Sequence, residues 1–178
     1  MNTEEEKIII LGCVQKEQKK QELLYKKYFG YAMTISLSYC SNREEAREIV
    51  DDTFMKVFDS ISTFDLNKPF KGWFRKITIN TAIDTLRKNK KFMNHLDIHE
   101  NMNHIPSIEM VDQLTIEDIY NMIARLPDVL KVVFNLYEIE GFTHKEISTL
   151  LNIPESSSRT YLTRAKLRLR EMINKNTN

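Results

Sequence analysis

The segment THKEISTLLNIPESSSRTYLTRAKLRLR, residues 143–170, predicts two helices joined by a tight turn. Thr143 can cap the first helix, and Glu146 stands three residues later, where a capping box requires it. Asn152 suits the left-handed residue that ends a helix, and Pro154 suits the first turn of the next one. The pattern is typical of a helix-turn-helix, whose second helix enters the major groove of DNA.

The second predicted helix combines an apolar stripe with a basic face. Ser158, Leu162, Ala165 and Leu169 recur at helical spacing and are expected to face inward. The side chains that point largely away from this stripe are Arg159, Thr160, Thr163, Arg164 and Lys166. The alternative interpretation is an ordinary pair of antiparallel helices with a solvated basic face.

Length and composition favour one or two small helical domains. The chain has 178 residues, of which 42% are hydrophobic and 29% charged, with only four glycines. The net charge is only +1, but residues 43–65 are rich in acidic side chains and residues 71–91 are basic. Opposite charge on successive segments suggests one surface for a basic protein partner and others for phosphates.

Several classes of protein are disfavoured. Cys13 and Cys40 form neither a metal-ligand pattern nor a disulfide framework, so we expect reduced thiols and a cytoplasmic location. We find no signal peptide and no segment long and apolar enough to span a bilayer. His95 and His99 could share one helix face as metal ligands, but no third ligand is fixed by spacing. We therefore predict no metal, no cofactor, no small-molecule substrate and no catalytic residues.

The first half of the chain predicts four or five helices. Residues 1–40 are expected to form two or three of them, with Gly30 marking a joint. Asn42 can cap a helix over residues 43–60, which has an acidic outer face that solvation alone would also explain. The predicted inward stripe of this helix contains Ala46, Ile49, Val50, Thr53, Phe54, Val57 and Phe58.

A loop over residues 61–71 is expected to precede a helix over residues 72–88. Its predicted core residues are Phe74, Ile77, Thr78, Thr81, Ala82 and Leu86. The aromatic head, the cations and Asn80 of this helix suit single-stranded DNA, because rings stack on unpaired bases and cations hold phosphates. The alternative is that Trp73 and Phe74 belong to the core and that the cations are merely solvated.

The rest of the chain predicts a linker and a second helical domain. Residues 91–114 lack apolar periodicity and are rich in polar residues, which indicates a flexible tether. Beyond it, Thr115 can cap a helix that Leu126-Pro127 breaks, and a further helix is expected from Asp128 to Ile139. The predicted fold class is all-α, with domains over residues 1–90 and 115–178.

Three segments together resemble one family over nearly the whole chain. They are REEAREIVDDTFMKVF (43–58), FKGWFRKITINTAIDTLRK (70–88) and LPDVLKVVFNLYEIEGFTHKEISTLLNIPESSSRTYLTRAKLRLR (126–170). In this order, and separated by one linker, they resemble the extracytoplasmic-function (ECF) sigma factors of bacterial RNA polymerase. The resemblance implies a protein that binds core polymerase, recognises two promoter elements, assists promoter melting and directs transcription initiation.

The resemblance also implies where each partner binds. The first domain would bind the polymerase clamp and the downstream promoter element, and the second would bind the upstream element and the polymerase flap. An inhibitory anti-sigma factor is a further expected partner. The implied polymerase-binding residues are Glu48, Asp51, Asp52, Phe54 and Lys56. The implied single-strand DNA-binding residues are Asp65, Asn67, Lys71, Trp73, Arg75, Lys76, Asn80, Asp84, Arg87 and Lys88, of which Asp65 to Lys71 match a loop that captures a flipped base. The implied duplex-binding residues are Ser156, Ser157, Arg159, Thr160, Thr163, Arg164 and Lys166.

The sequence departs from the family pattern at two positions of the second helix. Ser156 replaces a glycine or other small residue, and Tyr161 stands where a basic residue is frequent. Two other functions fit parts of the chain. One is a stand-alone helix-turn-helix regulator that binds a palindromic site as a dimer, although such a protein has no need of the acidic helix. The other is a metal hydrolase that uses His95 and His99.

Overall fold

The computed structural model describes residues 3–40, 42–88 and 115–176, and every regular element within these ranges is a helix. These residues form two compact units, of which the first ends at Lys88 and the second contains the helices that follow Thr115. The predicted linker over residues 91–114, with His95 and His99, lies outside the described residues. The all-α prediction is confirmed for the part of the chain that is described.

The first unit is built around its second helix. Its elements are α1 (Glu4–Val14), α2 (Gln18–Leu37), α3 (Arg43–Ser60), a short 3₁₀ turn (Ile61–Thr63) and α4 (Phe70–Lys88). Helix α2 packs against α1, α3 and α4, and α3 also packs against α4. The joint predicted at Gly30 is wrong, because α2 continues through this residue without a break.

Helix α3 has the bounds and the buried stripe that the sequence predicts. The Asn42 side chain accepts a hydrogen bond from the Glu45 backbone N–H at 2.8 Å, which satisfies one of the free donors at the helix start. Six of the seven predicted stripe residues are buried, and Phe58 is half-buried. Amphipathic spacing was therefore sufficient to define this helix.

Helix α4 differs from the prediction at its start and in its buried face. It begins at Phe70 rather than Gly72, so the connection contains only residues 64–69 after the 3₁₀ turn. Phe70, Ile79 and Ile83 are fully buried beside four of the six predicted core residues, whereas Ile77 and Leu86 are only half-buried. The cause is that α4 packs against both α2 and α3, which requires a wider apolar face than one stripe.

Helix α1 is held to α2 by a polar contact inside the core. The Tyr28 hydroxyl donates a hydrogen bond to Glu6 at 2.7 Å, and Lys27 Nζ lies 3.0 Å from the same carboxylate oxygen. Burial is the first cause, and Glu6 the next, of a raised Tyr28 pKa. Because the carboxylate is hydrogen-bonded and paired, its burial is tolerated.

Cys13 and Cys40 are both buried, and neither forms a disulfide with the other. Burial, with a smaller effect from the charge of Glu17, raises the pKa of the Cys13 thiol to about 11. A thiol with this pKa is protonated at neutral pH and reacts slowly, because the thiolate is the nucleophile. Cys13 is therefore a packing residue of α1.

Between residues 115 and 176, the second unit contains four helices and one widened turn. They are α5 (Ile116–Ala124), α6 (Asp128–Phe134) with a π turn (Asn135–Ile139) at its end, α7 (His144–Leu151) and α8 (Glu155–Asn176). Thr115 caps α5 through a capping box with Asp118, and Pro127 separates α5 from α6. Gly141 follows the π turn at a φ of 75°, a left-handed conformation that favours glycine. Helix α8 packs against α5, α6 and α7.

Candidate nucleic-acid interface

The helix-turn-helix predicted over residues 143–170 is present as α7 and α8. The Glu146 backbone N–H donates to Thr143 Oγ1 at 3.3 Å, and the Thr143 N–H donates to the Glu146 carboxylate at 2.8 Å. Asn152 ends α7 in the left-handed conformation, with φ 53° and ψ 48°. The Ser148 hydroxyl then donates to the Ile153 carbonyl at 2.6 Å and closes the turn. These bonds fix the direction in which α8 leaves α7.

Helix α8 presents the predicted residues on its outer side. Ser158, Leu162 and Ala165 are buried as expected, and Leu169 is half-buried. Among the implied duplex-binding residues, the exposed ones are Ser156, Arg159, Thr163 and Lys166, and the half-buried ones are Ser157, Thr160 and Arg164. The second unit therefore offers one continuous polar and cationic helix face.

The departure at Tyr161 has a structural explanation. Tyr161 is only 7% exposed, so its ring faces the core of the second unit. Tyr161 is thus an aromatic packing residue of the second unit and is not available to DNA. Among the implied duplex-binding residues of α8, the cations are Arg159, Arg164 and Lys166.

Two of these cations are paired with carboxylates. Arg159 Nη2 lies 2.5 Å from Glu155 Oε1 one turn earlier, and Lys166 Nζ lies 2.7 Å from Glu138 Oε1 in the π turn. All four side chains are between 35% and 63% exposed, so each pair contributes little to stability and can exchange for a DNA phosphate. Glu155 and Glu138 were not singled out from the sequence, and only the fold brings Glu138 to α8.

A groove that the sequence did not predict lies beside the first turns of α8 and the start of α7. His144 stacks on Tyr137 with ring centroids 4.4 Å apart, and its Nδ1 lies 2.9 Å from the Ser158 hydroxyl. The groove has a volume of about 490 Å³ and is also lined by Lys145 and Arg159. Because His144 belongs to α7 and Ser158 to α8, this hydrogen bond ties the start of the second helix to the first.

We expect His144 to destabilise the second unit at acidic pH. Burial first, and then the charge of Arg159 with a contribution from Lys166, lowers the pKa of His144 despite the opposing charge of Glu155. In the unfolded chain the His144 pKa is about 6.5, so the unfolded state takes up a proton more readily than the folded state does. The contribution of His144 to the free energy of unfolding is therefore complete above this pH and is lost as the pH falls through the lower pKa of the folded state.

The titration of His144 can be followed directly by NMR. In the proton NMR spectrum of the full chain, the imidazole C2 proton of His144 is assigned as the resonance that is missing from His144→Gln. This resonance should titrate below pH 6.5. The thermal midpoint of this variant should also fall less between pH 8 and pH 5.5 than that of the wild type. A titration at or above the ordinary histidine value would contradict the expectation.

The acidic face of α3 is exposed in the first unit. Glu48, Asp51, Asp52 and Lys56 are all exposed, as a protein-binding surface requires. Phe54 is a correction to the predicted set, because it is only 2% exposed and packs against Phe74 with ring centroids 5.3 Å apart. Phe54 therefore supports the face from below and does not belong to it.

Two contacts join the α3 face to neighbouring helices. The Tyr25 hydroxyl of α2 donates to Asp51 at 3.1 Å. Lys56 Nζ lies 3.1 Å from Asp84 Oδ2 of α4, and both side chains are about half exposed. Lys56 and Asp84, which the resemblance assigned to a polymerase surface and a DNA surface, are thus direct neighbours.

A pocket opens where the connection meets α4. It has a volume of about 430 Å³, and its aromatic walls are Phe64 and Trp73, whose ring centroids are 5.1 Å apart at an angle of 44°. Asp65 lies at its edge and accepts a hydrogen bond from the Asn67 backbone N–H at 3.0 Å, which shapes the turn. Lys76 also lines the pocket. Trp73 is half-buried, so part of its ring remains accessible.

The other implied single-strand residues follow α4. Lys71 belongs to the first turn of this helix and not to the loop where the sequence placed it, because the helix starts at Phe70. Its Nζ lies 4.5 Å from the centre of the Tyr31 ring, and Arg75 Nη1 donates to the Tyr31 hydroxyl at 3.1 Å. Further along the helix, the half-buried residues are Asn80 and Asp84, and the exposed ones are Arg87 and Lys88.

Within the described ranges, no group of three or more His, Cys, Asp or Glu side chains is arranged to hold a metal ion. No helix in these ranges is both long and apolar enough to cross a membrane. The surfaces of α4 and α8 are built from aromatic rings, amides, hydroxyls and cations, which are the groups that bind nucleic acid. The fold and the site thus define a class of protein that binds DNA through a helix-turn-helix.

Comparison with known proteins gives the family. Residues 24–92 match Sigma-70 region 2, and residues 116–169 match Sigma-70, region 4. The ECF RNA polymerase sigma factor SigW of Bacillus subtilis is 30% identical over 146 residues, which cover 74% of this chain and 77% of that protein. SigM of the same organism is 27% identical over 162 residues, or 87% of this chain and 96% of that protein.

A solved structure has a similar fold. The sigma factor RpoE of Bartonella quintana, crystallised with the anti-sigma factor NepR, is 19% identical and has a TM-score of 0.51 over 89% of this chain and 98% of that one. The chain belongs to the ECF family of RNA polymerase sigma factors. Its function is that of a sigma factor, which directs transcription initiation.

Proposed function

We propose that the two units divide the work of promoter recognition. The first unit binds core RNA polymerase through the α3 face and holds unpaired bases of the downstream element along α4. The second unit reads the upstream element as duplex DNA through α8. The observation that supports this division is the pocket lined by Phe64 and Trp73, which lies on the unit that also has the exposed acidic helix.

The polymerase contact is assigned to the exposed part of α3. Glu48, Asp51 and Asp52 form an acidic surface, which suits a basic partner surface on the polymerase clamp. Lys56 lies at the border of this surface and is paired with Asp84 of α4. The proposed polymerase surface on α3 and the proposed DNA surface on α4 therefore meet at the Lys56–Asp84 ion pair.

Promoter opening follows from selective binding of the unpaired strand. Unstacking a base costs a few kcal/mol, and stacking it on an aromatic side chain returns about 1–3 kcal/mol. A base can stack on the accessible part of Trp73 only after it has left the duplex, because its two faces are otherwise covered by neighbouring bases. Since a ligand shifts an equilibrium by its difference in affinity for the two states, the pocket favours the opened promoter. The chain needs no catalytic group for this effect.

The upstream element is assigned to the outer face of α8. Exposed Arg159 and half-buried Arg164 stand one and two turns into the helix, where a helix-turn-helix contacts base edges. Arginine can bind guanine through two hydrogen bonds, and the neighbouring hydroxyl side chains can bind bases or phosphates. Ser156 adds a hydroxyl group at the exposed front of the same face.

The fold also supports regulation by a protein partner. The similar structure from Bartonella quintana holds its sigma factor together with an anti-sigma factor. We extend this kind of partner to the present chain, together with a cytoplasmic location, where polymerase and the chromosome are accessible. Co-purification of the chain with a protein that blocks its binding to core polymerase would support this extension.

Transcription in vitro tests the proposed division. Core polymerase with the purified chain should start at new sites in a library of randomised promoters, and the selected sequences should show two separate elements. Asp52→Lys should weaken the capture of core polymerase, while Glu22→Gln, which removes one negative charge from an exposed side chain of α2, should not. Start sites that do not change when the chain is added would refute the proposal.

A further inference from the structure

The pocket between the 64–69 connection and α4 has an unequal distribution of chemical groups. Its walls are apolar, being formed by Phe64 and the accessible part of Trp73. Its edge carries a carboxylate, Asp65, and two ammonium groups, Lys68 and Lys76. A Cβ added at Gly72 would meet no atom within 4 Å, so the space above this residue is open. Such a site suits a flat ring with polar groups on its edge.

Asp65 is held in a fixed position at this edge. Its Oδ1 accepts the Asn67 backbone N–H at 3.0 Å, and its carbonyl accepts the Lys68 backbone N–H at 2.9 Å. The carboxylate is therefore oriented by the turn itself, although it is exposed to solvent. A carboxylate only accepts hydrogen bonds, so its partner on a base must be a donor.

The bases differ in what they offer to a carboxylate. Cytosine and adenine have an exocyclic amino group, and guanine has an amino group beside a ring N–H. Thymine has no amino group, and its one ring N–H lies between two carbonyl oxygens that repel a carboxylate. Flipped bases are read by hydrogen bonds to this same edge.

We propose that Asp65 makes this pocket select a base with an exocyclic amino group and exclude thymine. The inference rests on the proposed function, because it concerns the base that the first unit holds when the downstream element opens. Lys68 and Lys76 contribute positive charge at the same edge, which offsets the repulsion between Asp65 and the DNA phosphates.

The test uses the holoenzyme of core polymerase and the full chain with forked promoter DNA. The forks carry the sequence chosen by the randomised library, with A, C, G, T or an abasic site at each position of the single-stranded downstream element. We expect one position at which thymine binds about tenfold more weakly than the best amino-bearing base. The abasic site should also bind weakly at this position.

Three variants isolate the carboxylate. Asp65→Asn can still accept the Asn67 N–H, but its amide can also donate to thymine, so thymine discrimination should fall below about threefold. Asp65→Ser keeps a turn-forming oxygen without the charge and should give the same loss. Glu22→Gln, an equal change of charge on α2, should keep the full discrimination.

The outcomes separate the inference from the proposed function. Equal binding of thymine at every position, or full discrimination in both Asp65 variants, overturns the role of Asp65. If abasic sites still weaken binding in that case, the pocket still holds a base. If the chain does not redirect polymerase, or if no single-stranded base affects binding, the proposed function fails together with the inference.

Discussion

Trp73→Ala is expected to reduce promoter opening by roughly 5- to 150-fold, which corresponds to the loss of one base–aromatic stack of about 1–3 kcal/mol. Trp73 forms a wall of the pocket together with Phe64, and part of its ring is accessible. Reactivity of unpaired thymines towards permanganate in the holoenzyme–promoter complex measures the opening. Binding of the closed duplex should change much less, because the base is then still stacked.

Controls distinguish stacking from packing at this position. Trp73 also contacts Phe70, with ring centroids 5.5 Å apart, so the thermal midpoint of each variant must be compared. Trp73→Phe keeps a ring in the wall and should retain most of the opening. Asn80→Ala, further along α4, should also impair opening more than duplex binding. Permanganate reactivity unchanged in both alanine variants would remove α4 from the strand-binding surface.

Arg159→Ala is expected to lower the affinity for the upstream element by about 1–3 kcal/mol, the range for an arginine that reads a guanine edge. Its side chain is 63% exposed and is held by Glu155 one turn earlier. Fluorescence anisotropy with upstream-element duplexes, in which each base pair is replaced in turn, should show relaxed specificity at one position. Binding to core polymerase should be unchanged.

A matched change on the same helix tests whether the effect is specific. Arg170 lies eleven residues after Arg159, or about 16 Å along the helix axis. Arg170→Ala removes the same charge and should affect binding only slightly, without a change in base preference. Arg164→Ala should also weaken upstream-element binding, but this side chain is half-buried, so its thermal midpoint is needed as well. Equal promoter output from Arg159→Ala and wild type would refute the assignment of α8.

The helices that could be predicted well are those whose signals are local. Thr143 with Glu146, Asn152 and Asn42 each form the cap or the left-handed end that was expected from the sequence. Caps depend on residues within one turn, and the stripe of α3 depends on spacing along a single helix, so neither requires knowledge of a partner. The order of the helices and the helix-turn-helix followed from these signals.

The errors occurred where a second element decides the environment of a side chain. Ile79 and Ile83, which the predicted stripe omitted, are buried because α4 packs against two helices. Phe54, which the spacing placed in the core but the resemblance placed on the polymerase surface, is enclosed by aromatic rings from other helices. Tyr161, which the spacing assigned neither to the inward stripe nor to the DNA-facing set, faces the core. Periodicity on one helix predicts one apolar face and cannot show how wide that face becomes after packing.

By itself, the sequence determined the helical class, the bounds of α3, the turn between α7 and α8, and the family, because each depends on short-range patterns or on order along the chain. The tertiary structure decided which residues meet. It placed Asp65 with Trp73 at one pocket, Asp84 beside Lys56, and His144 between Tyr137 and Ser158. Contacts such as these arise only when elements of the chain pack, because spacing along one helix does not show which residues of another element will lie beside it.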